Sequence, residues 1–559
     1  MRIALVSPPP MHPTSPPLGP AALSAFLMSR DPELEVRCFD LNLHFYRKIV
    51  QLIDEEKFSI RLYDWSEQKS RARLLTAISL ISNQDWPNRQ LKQYHSAASI
   101  FLSFENIFNG FMTDMGRRLC LGLPVPARLE LFFQELLQPV IDYHPDLFGL
   151  SVQFSQQLEF SALFLKLCKE QLNIPTVLGG AWSGVVPHPE DLFMSPMLFT
   201  VENKNHPFQL KEYLDYLIPG EGENGLLDIC TMLKGGMKSA QVANLIYRKG
   251  GQIRKNPPSV IMDLSTLPIP DFSSFNLPDY FLPRPVLPLQ LSRGCPWQRC
   301  TFCTHHHSYL NYRQVPVKTC IDILSSLKQD SQCDCFSFVD EMILPKRFLA
   351  LADEIVARKL DITYGAYAKP SDKFSQKLLE RLQCSGCRVM MWGLESANQR
   401  VLDLMDKGTR VEIVKKVIER AAGSGIMNLL FVLFGFPTET EEELLNTVTF
   451  LKENSSRIHA LAMGTFVLTE GSQVHRQPEK FSIVIRDKSK DPANRTLKYD
   501  TERGMSASRV DTLFKQQLPE LNQIGPSRRL AGYRDHLLLW ATANSCGRKN
   551  VNFKKEFIG

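Results

Sequence analysis

RGCPWQRCTFCTHHH, residues 293–307, sets three cysteines and three histidines within thirteen residues. The spacing is Cys295-x4-Cys300-x2-Cys303, followed by His305, His306 and His307. Three readings present themselves: a zinc site, a disulfide knot and an iron–sulfur cluster. A structural zinc needs four ligands closing a tetrahedron, commonly as two pairs. Cys300 and Cys303 make one pair and Cys295 a third ligand, but a fourth from His305 or His307 requires an unusually tight turn. The next cysteine pair, Cys384-x2-Cys387, lies about eighty residues on, in helix-like sequence, and reads as structural thiols. The thirteen cysteines are odd in number, and others such as Cys38, Cys168 and Cys230 are scattered among apolar residues. That pattern suits reduced thiols in a cytoplasmic protein and leaves the disulfide reading weakest. A four-iron cluster on three thiolates, with one iron left open, fits the spacing best.

The flanking sequence decides what such a loop is mounted on. From residue 285, short apolar runs alternate with helical segments for about six units: VLPLQLSR (286–293), CFSFVDE (335–341), DITYGAYAK (361–369), VMMWGLES (389–396), NLLFVLFGF (428–436) and ALAMGTFVL (460–468). This βα repetition predicts a barrel or partial barrel over 285–470, with chemistry at the carboxyl ends of its strands. Cys295 follows the first strand; Asp340 and Glu341 end the second, Lys369 the third, Glu395 the fourth and Gly435 the fifth. Asp340, Glu341 and Lys369 could equally be ordinary strand-end residues in a mutual ion pair.

Residues 1–249 show the same alternation in a different style, predicting a doubly wound, Rossmann-like parallel sheet. RIALVSPP, EVRCFDL (35–41), DLFGLSV (146–152), PTVLGG (175–180) and DYLIPGEGE (215–223) are its strands. Ligands of such sheets bind beyond the carboxyl ends of the strands. A helical stretch rich in Leu, Phe and Tyr, about residues 47–135, interrupts them. Residues 250–284, dense in proline, predict an extended surface linker. Residues 471–559 predict a small, mostly helical accessory segment.

The chain has 559 residues, 44% hydrophobic and 22% charged, with net charge +6. This is the composition of a multidomain soluble protein without the dense basic face of a nucleic-acid binder. No run approaches the length of a membrane span. GEGENG (220–225) matches G-x-G-x-x-G, but Glu221 and Glu223 would repel a pyrophosphate, so turn formation beside a bulky ligand is the alternative to cofactor contact. Neither a Walker loop nor a G-x-S-x-G elbow occurs.

The three-cysteine loop after the first strand of a βα repeat resembles the radical S-adenosylmethionine (radical SAM) enzymes, and the run GLESANQRVLDLMDKGT is similar to that family too. The common family loop is C-x3-C-x2-C; this one carries an extra residue between its first two cysteines. DLFGLSV, VLGGAW and LIPGEGE, in that order, resemble the cobalamin-binding domain that precedes the barrel in one large subfamily. The resemblance implies a partial (β/α)6 barrel carrying a [4Fe–4S] cluster on Cys295, Cys300 and Cys303. SAM would bind the open iron near Phe302, Asp340, Glu341, Lys369, Glu395 and Gly435. It implies cobalamin held near Ser7, Pro8, Pro9, Ser151, Gln153, Gly179, Gly180, Gly220, Glu221, Gly222 and Glu223. The D-x-H-x-x-G cobalt-ligating loop is absent. The implied activity is methyl transfer to an unactivated carbon of a small-molecule, natural-product or peptide-like substrate, through a 5′-deoxyadenosyl radical. An external flavodoxin- or ferredoxin-type donor would supply electrons. Cyclisation, rearrangement or oxidation by the same cofactors, or a non-catalytic cobalamin or metal sensor, are the alternatives. The histidine run is either a polar turn or a substrate-facing group.

Overall fold

The computed structural model describes residues 1–83, 91–305, 309, 311–487, 491–493, 495–525 and 530–545. Its first half is a seven-stranded sheet. β1 (Arg2–Ser7) pairs in parallel with β2 (Glu35–Asp40) and β3 (Leu147–Ser151), and β3 with β4 (Thr176–Gly179). Tyr216–Leu217 continues the parallel order, and the hairpin Ile246–Lys249/Gln252–Lys255 closes the edge antiparallel. β1 and β3 are continuous apolar runs because helices cover both faces, so no alternation is required.

The predicted insertion is a set of four helices: α1 (Leu18–Arg30) belongs to the sheet, whereas α2 (Leu41–Asp54), α3 (Glu67–Ile81), α4 (Leu91–Cys120) and α5 (Ala127–Tyr143) fill the gap between β2 and β3. Aromatic packing holds them together: Phe45 meets Phe108, Phe132 and Phe160 at centroid distances of 5.5–5.9 Å. Such edge contacts add to the burial of large rings.

The proline-rich stretch departs from expectation. Gln252–Lys255 still pairs in the first sheet, so residue 249 falls inside a hairpin and is not a boundary. Beyond it the chain is a strap and not a free linker: Phe272, Phe275, Tyr280, Phe281 and Leu282 are buried. The Tyr280 hydroxyl donates to Asp40 at 2.7 Å and Arg47 pairs with Asp279 at 3.0 Å. Aromatic residues between the prolines supply the burial that composition alone conceals.

The second half is a six-stranded, all-parallel sheet whose strands neighbour one another in chain order: Leu287–Leu289, Cys335–Phe338, Thr363–Ala368, Cys387–Glu395, Met427–Phe434 and Ala460–Thr465. First and last strands do not pair, leaving a partial barrel. The C-terminal segment is less helical than predicted, since Leu468–Thr469, Ile483–Asp487 and Thr496–Thr501 form a small antiparallel sheet. Its last helix, Arg534–Ser545, lies against the second, third and fourth barrel strands. Leu538 reaches within 3.8 Å of the site a Cβ on Gly365 would take. The helix thereby covers the middle strands of the barrel, backed by α4 through Tyr94 and His536. Among the described residues no helix is long and apolar enough to cross a membrane.

Candidate active site

The cysteine loop leaves the first barrel strand through a two-residue ladder, Ser292–Arg293 against Arg313–Gln314. The Asp340 carboxylate, buried, accepts from the Leu291 N–H at 3.1 Å and from the Ser292 hydroxyl. Burial pushes Asp340 up to about 6. Asp340 is thus a clamp on the strand exit. Glu341 is the next residue. It is part-exposed at 26% and lies 3.3 Å from His305 Nδ1, close enough to Cys303 to raise that thiol's pKa.

The loop is held from the far side by residues 404–408. Thr301 N–H donates to the Met405 carbonyl at 2.9 Å and Trp297 Nε1–H to the Asp406 carbonyl at 2.7 Å; Arg299 pairs with Asp406 at 3.0 Å. The Trp297 ring occupies the space over Gly408, whose φ of 63° and lack of a Cβ permit the contact. Lys369 Nζ sits 3.1 Å from the centroid of the Trp297 ring and donates to the Gly408 carbonyl at 3.3 Å. The mutual ion pair with Asp340 or Glu341 does not form. Burial and the neighbouring Lys407 bring Lys369 down to about 8.

Glu395 pairs with Lys407 at 2.7 Å, both nearly buried, and Lys407 stands 6.0 Å from the Phe302 ring. Phe302 packs beside a satellite core around Val401, Leu402 and Phe436. Gly435, at φ 75°, donates its N–H to Glu439, and Val510 fills the place of a Cβ. The structure therefore accounts for this glycine by backbone turn and close packing, and not by an open approach to adenine.

Cys295, Cys300 and Cys303 are free and half-buried. Burial raises Cys300 and pushes Cys303 up to about 12, while Lys407 acts on Cys300 in the opposite direction. Among the described residues no three His, Cys, Asp or Glu side chains stand together as the ligand set of one ion. Separate thiols on one loop, with Lys407 and Lys369 offsetting their negative charge, fit a cluster in which each cysteine takes its own iron. His306 and His307 lie outside the described residues.

The carboxyl edge of the first sheet carries a small apolar slot against α1, lined by Ser151, Gly179, Gly180 and Gly222 together with Leu23 and Leu226. Apolar lining with few polar groups suits contact with an apolar part of a ligand. Gly180, at φ 101°, has no room for a Cβ against the Val152 backbone. Gln153 and Phe154 project exposed beyond β3, on a turn fixed by Gln157, which accepts from both their N–H groups and donates to the Pro8 carbonyl. Ser7, Pro8 and Pro9 are buried under this turn, and Gly220, at φ 76°, only turns the chain.

Glu221 and Glu223 do not face the slot. Arg293 donates to Glu221 at 2.8 Å and also pairs with Glu223, and Arg313 grips Glu221 through both terminal nitrogens. All four side chains are nearly buried. The acidic motif of the first sheet is therefore bolted to the arginine two residues before Cys295.

Residues 289–451 match the model of the radical SAM superfamily. That stretch is a radical SAM domain. It is 26% identical over 332 residues to an uncharacterised methyltransferase of Pyrococcus horikoshii, covering 58% of this chain and 68% of that protein. It is 25% identical over 337 residues to the anaerobic magnesium-protoporphyrin IX monomethyl ester cyclase of Rubrivivax gelatinosus, covering 58% of this chain and 57% of that one. Its fold is that of the cobalamin-dependent S-adenosylmethionine radical enzyme OxsB (TM-score 0.61, 15% identity, 93% of this chain and 66% of the other). It is equally that of the radical S-adenosylmethionine methyltransferase TsrM from Kitasatospora setae (TM-score 0.59, 15% identity, 96% and 88%). The chain thus shares its overall fold with these two enzymes.

Trp297, Arg293, Lys407, Gly408 and Gln157 went unread as site residues from sequence. Arg293 and Trp297 lie within the cysteine loop, and Lys407 and Gly408 within the family-like run ending in MDKGT. Gln157, the first residue of α6 (Gln157–Gln171), carries no sequence signal at all.

Proposed function

We propose that the chain is a cobalamin-dependent radical SAM methyltransferase acting on an unactivated carbon. The observation that carries this is the bolting of the two halves to each other: the thiol loop of the barrel is joined to the GEGENG turn of the first sheet by Arg293 between Glu221 and Glu223. Cys295, Cys300 and Cys303 would hold the cluster, Glu341, Glu395 and Phe302 would flank SAM, and Ser151, Gly179, Gly180, Gly222 and Gln153 would hold cobalamin. When bound, these groups supply reductive cleavage of SAM and a transferable methyl group. The chain's own residues do the remainder. Lys407 and Lys369 offset the charge of the thiolates, the Trp297 ring shields the loop from water, and the helix Arg534–Ser545 closes the lumen beneath it.

A radical cyclisation is the second reading, favoured by the similarity to the Rubrivivax cyclase. Anaerobic reconstitution with iron, sulfide and hydroxocobalamin, followed by reduction in the presence of SAM, tests both. Release of 5′-deoxyadenosine with stoichiometric cobalamin is expected. Deoxyadenosine without cobalamin binding would sink the methyltransferase reading alone. Failure to assemble an iron–sulfur chromophore would sink both.

A further inference from the structure

Four distant parts of the sequence meet in the barrel lumen. Gly365 and Tyr367 lie on one face of the third strand, two residues apart, and Gly365 faces Leu538 of the closing helix. The Tyr367 ring therefore also points inward, stacked on Phe431 of the fifth strand at 6.0 Å and 12°. Arg534 opens the closing helix. Its guanidinium lies 5.2 Å from the Tyr367 ring centroid and 5.4 Å from that of Phe431, and donates to the Tyr367 hydroxyl. Beside it, His12 from the loop after β1 packs on Tyr533 at 4.5 Å, its ring tilted by 58°, and turns Nδ1 to Glu105 of α4 at 3.2 Å.

The charges are layered. The anions are at the back: Glu105 is 2% exposed in its side chain, and Asp535 is buried and accepts from Thr14 at 2.7 Å. The cationic groups are in front: the His12 side chain keeps 45% of its surface and Arg534 is exposed. Among the described residues no carboxylate forms a salt bridge with Arg534. His12 and Arg534 are thus accessible groups backed by buried carboxylates. Lys369, two residues beyond Tyr367 at the end of the same strand, reaches the Trp297 ring of the cysteine loop, which puts this face next to the cluster site. A guanidinium fork against two flat rings, with a second donor from His12 Nε2, suits a carboxylate or phosphate carried on an apolar body.

We propose that Arg534 and His12 form the floor of the substrate chamber and hold the anionic group, a carboxylate or a phosphate, of the molecule on which the barrel acts. The proposal rests on the radical SAM reading only for what happens to the molecule once bound.

The test is phenylglyoxal labelling of the reconstituted holoenzyme, read at Arg534 by peptide mass mapping, with inorganic phosphate and acetate as separate competitors. Protection of Arg534 by at least fivefold at millimolar anion is expected. The stronger competitor tells phosphate from carboxylate. His12→Gln should raise the anion concentration needed for that protection about tenfold with an unchanged melting temperature; if that variant does not fold, protection in the unmodified enzyme decides. Labelling unaffected by either anion overturns the proposal, as does protection by SAM or cobalamin alone, which would assign Arg534 to a cofactor. Deoxyadenosine release from SAM is measured on the same preparation. Its absence with protection intact would sink the radical SAM reading and leave the anion site standing.

Discussion

Trp297 lies across Gly408, its indole filling the volume that a side chain at position 408 would need, while its Nε1–H holds the Asp406 carbonyl. One ring thereby fixes the middle of the cysteine loop to a turn more than a hundred residues away.

Gly408→Ala should displace that ring and strain a left-handed turn that costs a non-glycine residue about 1 kcal/mol or more. Iron and acid-labile sulfide per chain after reconstitution should fall by at least half, with the melting temperature little changed. A variant that takes up a full cluster would show that the contact is incidental.

Lys407→Met leaves Glu395 nearly buried without its partner, a change that costs roughly 3–5 kcal/mol in other buried pairs. Urea unfolding measures it. The same change removes a cation beside Cys300, so the cluster's midpoint potential should move negative, since a positive neighbour favours the reduced, more negative state. Glu395→Gln with Lys407→Met should recover most of the lost stability.

Arg293→Lys keeps a charge but cannot reach Glu221 and Glu223 together as a planar fork does. Cobalamin affinity and cluster content should fall together in this variant, whereas Arg313→Lys, which touches Glu221 and the Ile261 and Asn311 carbonyls but not Glu223, should weaken cobalamin binding less. Titration of hydroxocobalamin into both variants compares them.

Glu439 is buried, with one oxygen accepting from Gly435 and Oε1 without a partner. Burial pushes its carboxyl up to about 7. A carboxyl raised on folding gives stability that is complete below its unfolded value, about 4.3, and is lost as pH rises through 7. The loss amounts to at most about 3–4 kcal/mol at 1.36 kcal/mol per pH unit. Glu439→Gln should flatten the urea midpoint between pH 5 and 8; an equal slope in both proteins would locate the titration elsewhere.

Leu538→Ala opens a void between the closing helix and Gly365. It should cost roughly 2–5 kcal/mol, and the loss should speed proteolysis within residues 530–545 before the barrel unfolds.

The sequence by itself determined the six βα units, the first sheet and the cysteine loop, because each depends on local pattern: apolar runs of strand length, amphipathic helices, thiols at fixed spacing. Its reading of Cys295, Cys300 and Cys303 as one loop at a strand end needed no tertiary contact. What each polar residue faces was decided only by the tertiary structure. Asp340 and Glu341 are neighbours with opposite fates because successive strand-end residues point to opposite sides. Glu221 and Glu223, which look like loop residues beside a ligand, answer to Arg293 and Arg313 from another domain. The purposes of the helical insertion and the C-terminal segment could not be read locally, since α4 and the helix Arg534–Ser545 acquire their role by meeting in the barrel lumen, more than four hundred residues apart in the chain. Local pattern fixes the elements; charge pairing and burial between distant elements decide which side chains remain open to chemistry.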